Sequence, residues 1–231
     1  EGAIYASSYG RGAWRSPLPI NTYDDIHITS NTTWNTDSYI ESNVVIESGA
    51  ILTITGGATI SIAGGKKITI MRGARLNVSN ATLTNSCEAL WEGIEVWGYD
   101  DLGHPALTDV LSGAYPASAS DHGVVYITGN SIIENAHNGI STSKYNEVGW
   151  SDPDYHGGII VALGSTFRNN RRSAEFLSFG SENVSQFIAC DFITDDVLNQ
   201  EVIPYAHVSM WAVKGVLFMD NTFANTISTA T

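Results

Sequence analysis

Four aspartates, Asp191, Asp195, Asp196 and Asp220, fall close together in the last quarter of the chain, and the run NNRRSAEF places Arg171 and Arg172 just upstream. Paired carboxylates serve as general acid and base when their surroundings separate their pKa values. If the chain is an enzyme, Asp191, Asp195, Asp196, Arg171 and Arg172 are the candidates for its chemistry. The plainer reading is that these acids are solvated residues at chain bends. Asp100 with Asp101, and Asp152 with Asp154, supply the oxygen ligands that suit Ca2+, a hard cation that takes about six to eight of them. No EF-hand loop accompanies either pair, so Ca2+ stands against a solvated acidic loop. The six histidines show neither a two-His helical spacing nor pairing with cysteine, which argues against a transition-metal centre. Aromatic rings in polar loops are the usual platform for sugars, because a ring face packs on the apolar face of a pyranose. Trp97, Tyr99, Trp150, Tyr155 and Tyr205 are the candidates for that role; the competing reading is that they anchor their own loops.

What must position these residues is a chain of 231 residues that is 43% hydrophobic and only 15% charged, against about a quarter in an ordinary domain. Its surface polarity therefore comes mostly from Ser, Thr and Asn, which suits β structure. The net charge of −13 repels nucleic acid and anionic membranes, so neither is expected as a partner. No apolar run approaches the roughly 20 residues needed to span a bilayer as a helix. Cys87 and Cys190 fit one disulfide or two buried thiols equally well.

Between residues 43 and 83 an apolar pair two residues apart recurs every eight residues: Val44/Ile46, Leu52/Ile54, Ile60/Ile62, Ile68/Ile70 and Leu76/Val78, with glycines in the gaps. Residues at i and i+2 share one face of a strand, so each pair marks a short strand with a buried inner face. The run SGAILTI at 48–54 returns as RGARLNV at 72–78, a lag of three strands. A meander has no reason to echo at three strands, whereas a solenoid with three strands per coil must. The fold class expected is all-β, a right-handed parallel β-helix with three strands per coil.

The second half repeats more loosely. GNSIIENA, GSTFRNN, CDFITDD and DNTFANT look like one structural position, with Ile132, Phe167, Phe192 and Phe223 as an internal stack and Asn135, Asn170 and Asn225 as a ladder bonding to its own counterparts. His122 and His156 each precede an apolar strand and read as structural equivalents one coil apart. Three polar excursions, 99–121, 143–155 and 195–206, interrupt the coils; in solenoids such insertions often share the binding side.

The Gly-punctuated ladder followed by WEGIEVWG, NSIIENAHNGI, STFRNN and NTFAN resembles the right-handed parallel β-helix regions of large secreted Bacteroidetes proteins exported by the type IX route. The resemblance covers roughly residues 38–228. It implies an extracellular or cell-surface location and a structural or adhesive role, with glycan contact on the loop side. Separately, IYASSYGRGAWRSPLP at 4–19 is similar to the closing strand of a sialidase-like β-propeller. That likeness implies that residues 1–20 end a preceding domain and its linker, with Pro17 and Pro19 stiffening it, and that residues 21–231 form the β-helix. Expected partners are then other domains of one longer polypeptide and a glycan or another chain at the solenoid ends, because DNTFANTISTAT does not look like a polar cap. The same fold hosts polysaccharide lyases and glycoside hydrolases, which makes such an enzyme the alternative. The ordered polygalacturonase set of Asn-Thr-Asp, Asp-Asp, Gly-His-Gly and Arg-Ile-Lys is not met: YHGG at 155–158 precedes TDD at 194–196, and no RIK occurs.

Overall fold

The computed structural model describes residues 3–8, 12–17, 24–87, 89–113, 121–146, 148–196 and 204–227. The N-terminal stretch forms an antiparallel hairpin, Ala3–Ser8 paired with Gly12–Pro17, where a single closing strand was expected. Pro19 lies outside the described residues. From Ile26 onward the chain winds as a right-handed parallel β-helix of three seven-stranded sheets.

Each coil contributes one strand to each sheet in turn. The first sheet runs from Ile26–Ile28 through Val44–Ile46, Lys67–Ile70, Trp91–Val96, Ala136–Ser141 and Arg172–Phe176 to Ala206–Met210. The second holds Ile51–Thr55, Arg75–Ser79, Val124–Thr128 and Ile159–Leu163, among others, and the third holds Thr59–Ile62, Thr82–Asn85, Ile132–Glu134, Thr166–Arg168 and Asp191–Thr194. The eight-residue beat is what this architecture requires. Leu52 lies on Leu76 and Ile54 on Val78, Val44 on Ile68, and all of these are fully buried.

Toward the C-terminus the inner column becomes aromatic. Phe167, Phe192 and Phe223 stack nearly parallel at 5.1 and 4.7 Å, and Phe187 lies on Phe218 at 5.0 Å. The residue of the preceding coil in that column is Ile133, not Ile132: Ile133 pairs with Phe167 and is fully buried, while Ile132 pairs with Thr166. Two bend residues, Gly129 and Asn130, stand where the next coil has Gly164 alone, and a one-residue slip turns a strand's other face inward. The asparagines also act differently from a self-bonded ladder. Asn170 receives the Ala136 N–H and donates to the Ile133 carbonyl (both 2.9 Å), and Asn221 does the same for Cys190 N–H and the Phe187 carbonyl. They brace the backbone of the coil below, satisfying bend groups that have no strand partner.

The excursions leave from two corners. Those following Trp91–Val96 and Ala136–Ser141 sit between the first and second sheets, and the one following Asp191–Thr194 sits between the third and first. They therefore border the first sheet on both sides. Residues 114–120 and 197–203, within the first and third excursions, lie outside the described residues. The first excursion also carries a short helix, Leu107–Leu111, whose Val110 is buried against Val124, Ile159 and Val161 on the outer face of the second sheet. Cys87 is exposed and Cys190 buried, and they are not bonded to each other. The last coil leaves Trp211 (74%), Met210 (56%), Phe223 (52%), Leu217 (44%) and Met219 (44%) exposed.

Phe192 is flanked on both sides in the aromatic column, whereas Phe223 is half-exposed at its end. Phe192→Ala should cost about 3–5 kcal/mol in a urea titration, and Phe223→Ala no more than about 1–2 kcal/mol because less area is returned to water.

Candidate functional site

The outer face of the first sheet forms a groove of about 760 Å³. Strand alternation sends Glu95, Ser141 and Glu175 outward on three successive rungs, since Glu95 pairs with Ser141 and Ser141 with Glu175. Lys67 and Arg172 stand in a second column at the strand starts, where Gly93 pairs with both Lys67 and Asn138, and Asn138 with Arg172. At Gly93 the register shifts: Gly93 faces Asn138 while Ile94 faces Ile140, leaving Gly139 as the extra residue. Gly93 adopts φ +101°, and a Cβ there would lie 1.5 Å from the Asn138 carbonyl oxygen. No other residue fits that approach. Such bulges re-aim side chains, and here Asn138 lines the groove.

Both central carboxylates are buried, each 7% exposed, and each is occupied at both oxygens. Lys67 Nζ donates to Glu95 Oε1 at 2.6 Å, and Trp97 Nε1 to Glu95 Oε2 at 3.2 Å. Arg172 pairs with Glu175 Oε1, and the Tyr145 hydroxyl donates to Glu175 Oε2. Burial, and then the Glu175 carboxylate, raise the Tyr145 phenol above its usual pKa. It therefore acts as a donor and is a poor base. Tyr145 belongs to a small hairpin, Lys144–Tyr145 with Ser151–Asp152, whose turn is held by Asn146 Oδ1 accepting from Val148 and Trp150 N–H. Asn146 and Gly149 of this hairpin wall the groove.

Of the residues named from the sequence, Arg171 and Arg172 line the groove. Asp191 lies instead on the third sheet, and Asp195 and Asp196 are exposed at the following corner, where Asn169 Nδ2 donates to Asp195. Trp97, Tyr99 and Tyr155 come together at the first-to-second corner around two cations. The Arg72 guanidinium lies 3.4 Å from the Tyr99 ring centre and 4.2 Å from that of Tyr155, and Lys144 sits 4.4 Å over Tyr155 and 5.1 Å over Trp97. Their faces are used to pin the excursions to the coil. Trp150 (73%) and Tyr205 (64%) remain exposed, Trp150 on the groove's hairpin and Tyr205 beside Arg171 and Arg172. Asp152 Oδ1 caps Asp154 N–H at 3.2 Å, and among the described residues no three His, Cys, Asp or Glu side chains, Asp100 and Asp101 included, are grouped to hold a metal ion.

Sequence reasoning missed Lys67, Glu95, Ser141 and Glu175, and it read Tyr145 as one of the loop aromatics and not as the donor to Glu175. Glu95 and Glu175 occupy alternating positions within WEGIEVWG and NNRRSAEF, but the unequal coil lengths conceal that they share a column. The two histidines expected as equivalents are offset by one residue: Val124 pairs with Ile159, so His122 stands level with Gly157, whose carbonyl is 2.7 Å from His122 Nδ1 and from His104 Nε2. Burial, then the neighbouring His122, lower the His104 pKa from 6.5 to about 3, and burial likewise lowers that of His122. No known protein family, curated protein or solved structure matches this chain.

The His104 imidazole binds a proton in the unfolded chain below pH 6.5 but not in the folded one until about pH 3. Its contribution is thus complete above pH 6.5 and is lost as pH falls toward 3. Between pH 5.5 and 4 the slope of unfolding free energy against pH should be about 1.4 kcal/mol per pH unit shallower in His104→Asn than in the parent. Tyr145→Phe removes a hydrogen bond to a buried carboxylate and should cost about 1.5–3 kcal/mol, with faster amide exchange confined to residues 144–152.

Proposed function

We propose that this chain is a structural or adhesive β-helical module of a larger secreted or surface-attached bacterial protein, and that it holds glycans in the groove on its first sheet. The observation that carries the reading is the groove itself, a polar trough bordered by loops on both sides and walled by a hairpin that presents an exposed Trp150. Long polar troughs with ring platforms at the rim suit extended sugars. The secreted setting, and the Bacteroidetes type IX route within it, rest on the resemblance of the tandem motifs. A second contact is proposed at the C-terminal end, where three edge strands and five exposed apolar side chains favour pairing with another domain or chain.

The alternative is a polysaccharide lyase or glycoside hydrolase, favoured by the three carboxylates Glu92, Glu95 and Glu175 that share the groove with Arg171 and Arg172. One feature restricts it and another weighs against it. Glu95 and Glu175 stand two rungs apart, roughly 9–10 Å of backbone, too wide for the about 5 Å of a retaining pair and at the upper end of the about 6.5–9.5 Å of an inverting one. Both are also held by a cation and a neutral donor, which makes them counter-ions and not proton carriers.

A glycan array probed with and without Ca2+, followed by mass spectrometry of any bound polysaccharide, tests the reading. Intact bound glycan is expected, with Trp150→Ala and Tyr205→Ala each weakening it about 2- to 30-fold, the size of one lost ring contact, and leaving the melting temperature unchanged. Shortened or unsaturated oligosaccharides would establish the enzyme instead.

A further inference from the structure

We infer that the groove selects uncharged glycans, and that it does so because its charges are spent on one another. The inference rests on the glycan reading above. Three cations, Lys67, Arg171 and Arg172, and three carboxylates, Glu92, Glu95 and Glu175, line the groove, so its floor sums to zero at neutral pH. The balance is local as well as arithmetic. Lys67 is held by Glu95 and Arg172 by Glu175, and the second oxygen of each carboxylate is taken by Trp97 or Tyr145. Arg171 lies over the Tyr205 ring at the margin, and Glu92 is exposed on the Trp91–Val96 strand.

A uronate chain that takes Lys67 or Arg172 from its glutamate leaves a buried carboxylate unpaired and desolvated. It would also approach a molecule of net charge −13. A polyamine sugar has the converse difficulty: the overall field attracts it, but Glu95 and Glu175 are buried and each of their oxygens already accepts a bond from a neighbour. What the floor still offers is uncharged. His137, Asn138 and Ser141 on the Ala136–Ser141 strand, and Asn146 on the hairpin that follows it, supply imidazole, amide and hydroxyl groups, the partners that sugar hydroxyls use.

The test is isothermal titration of the intact chain with neutral hexasaccharides (gluco-, xylo- and manno-configured), a hexuronate and a hexaglucosamine, each at low and at physiological salt. The expected result is binding of at least one neutral oligosaccharide with little salt dependence and no binding of the charged ones. Glu95→Gln and Glu175→Gln release Lys67 and Arg172. Each should gain about fivefold in hexuronate affinity, the size of one exposed ion pair, and lose that gain in salt. Circular dichroism melts check that both variants fold. Hexuronate or hexaglucosamine bound by the parent as tightly as any neutral chain would overturn the charge argument while leaving the glycan reading in place. If no oligosaccharide binds, both fall.

Discussion

Every strand between the first and last coils of the solenoid is hydrogen-bonded to the coil before and the coil after, and this one constraint dictates most of what is seen. A residue facing inward must sit on the side chain of its counterpart one turn earlier, so apolar residues collect into columns such as Leu52 on Leu76 and Phe167 on Phe192 on Phe223. It also restricts where the chain can depart from the pattern. Strand length and register are constrained by the neighbour, so insertions longer than the single-residue bulge at Gly139 are placed at corners. The longer excursions leave from the two corners that border the first sheet, which is why that sheet is bordered by loops on both sides.

The same stacking that orders the core also orders the outer face. Glu95, Ser141 and Glu175 share a column for the reason that Ile94, Ile140 and Ala174 do, namely that Ile94 pairs with Ile140 and Ile140 with Ala174. Like charges on adjacent rungs would repel at rung spacing, and Ser141 between the two glutamates relieves that contact. The flanking column answers each glutamate with a cation. A groove built in this way is rigid, because any side chain that moves leaves a buried charge without its partner.

How much of this could be read in advance depended on coil length. Where coils are of equal length, from residue 43 to 83, spacing alone revealed strands, core faces and the solenoid. Where bends vary by one residue the reading slipped, as with Ile132 in place of Ile133 and with His122 opposite Gly157 instead of His156. The groove was hidden for the same reason: Glu95 and Glu175 come together only once the register across two excursions is known, and Tyr145 reaches Glu175 only through a hairpin that spacing does not disclose. The aromatic residues were identified by type, but whether a ring offers its face to a ligand or to an internal cation depends on Arg72 and Lys144, which are remote from Tyr99 and Trp97 in sequence.

The direction of the inter-coil hydrogen bonds has a mechanical consequence. They run along the long axis, so a pull along that axis bears on one rung at a time, and coils would peel from an end in sequence. A force applied across the axis is shared by all seven rungs of each sheet. A β-helix of this kind is therefore stiff against bending and lateral load but yields stepwise, coil by coil, under tension.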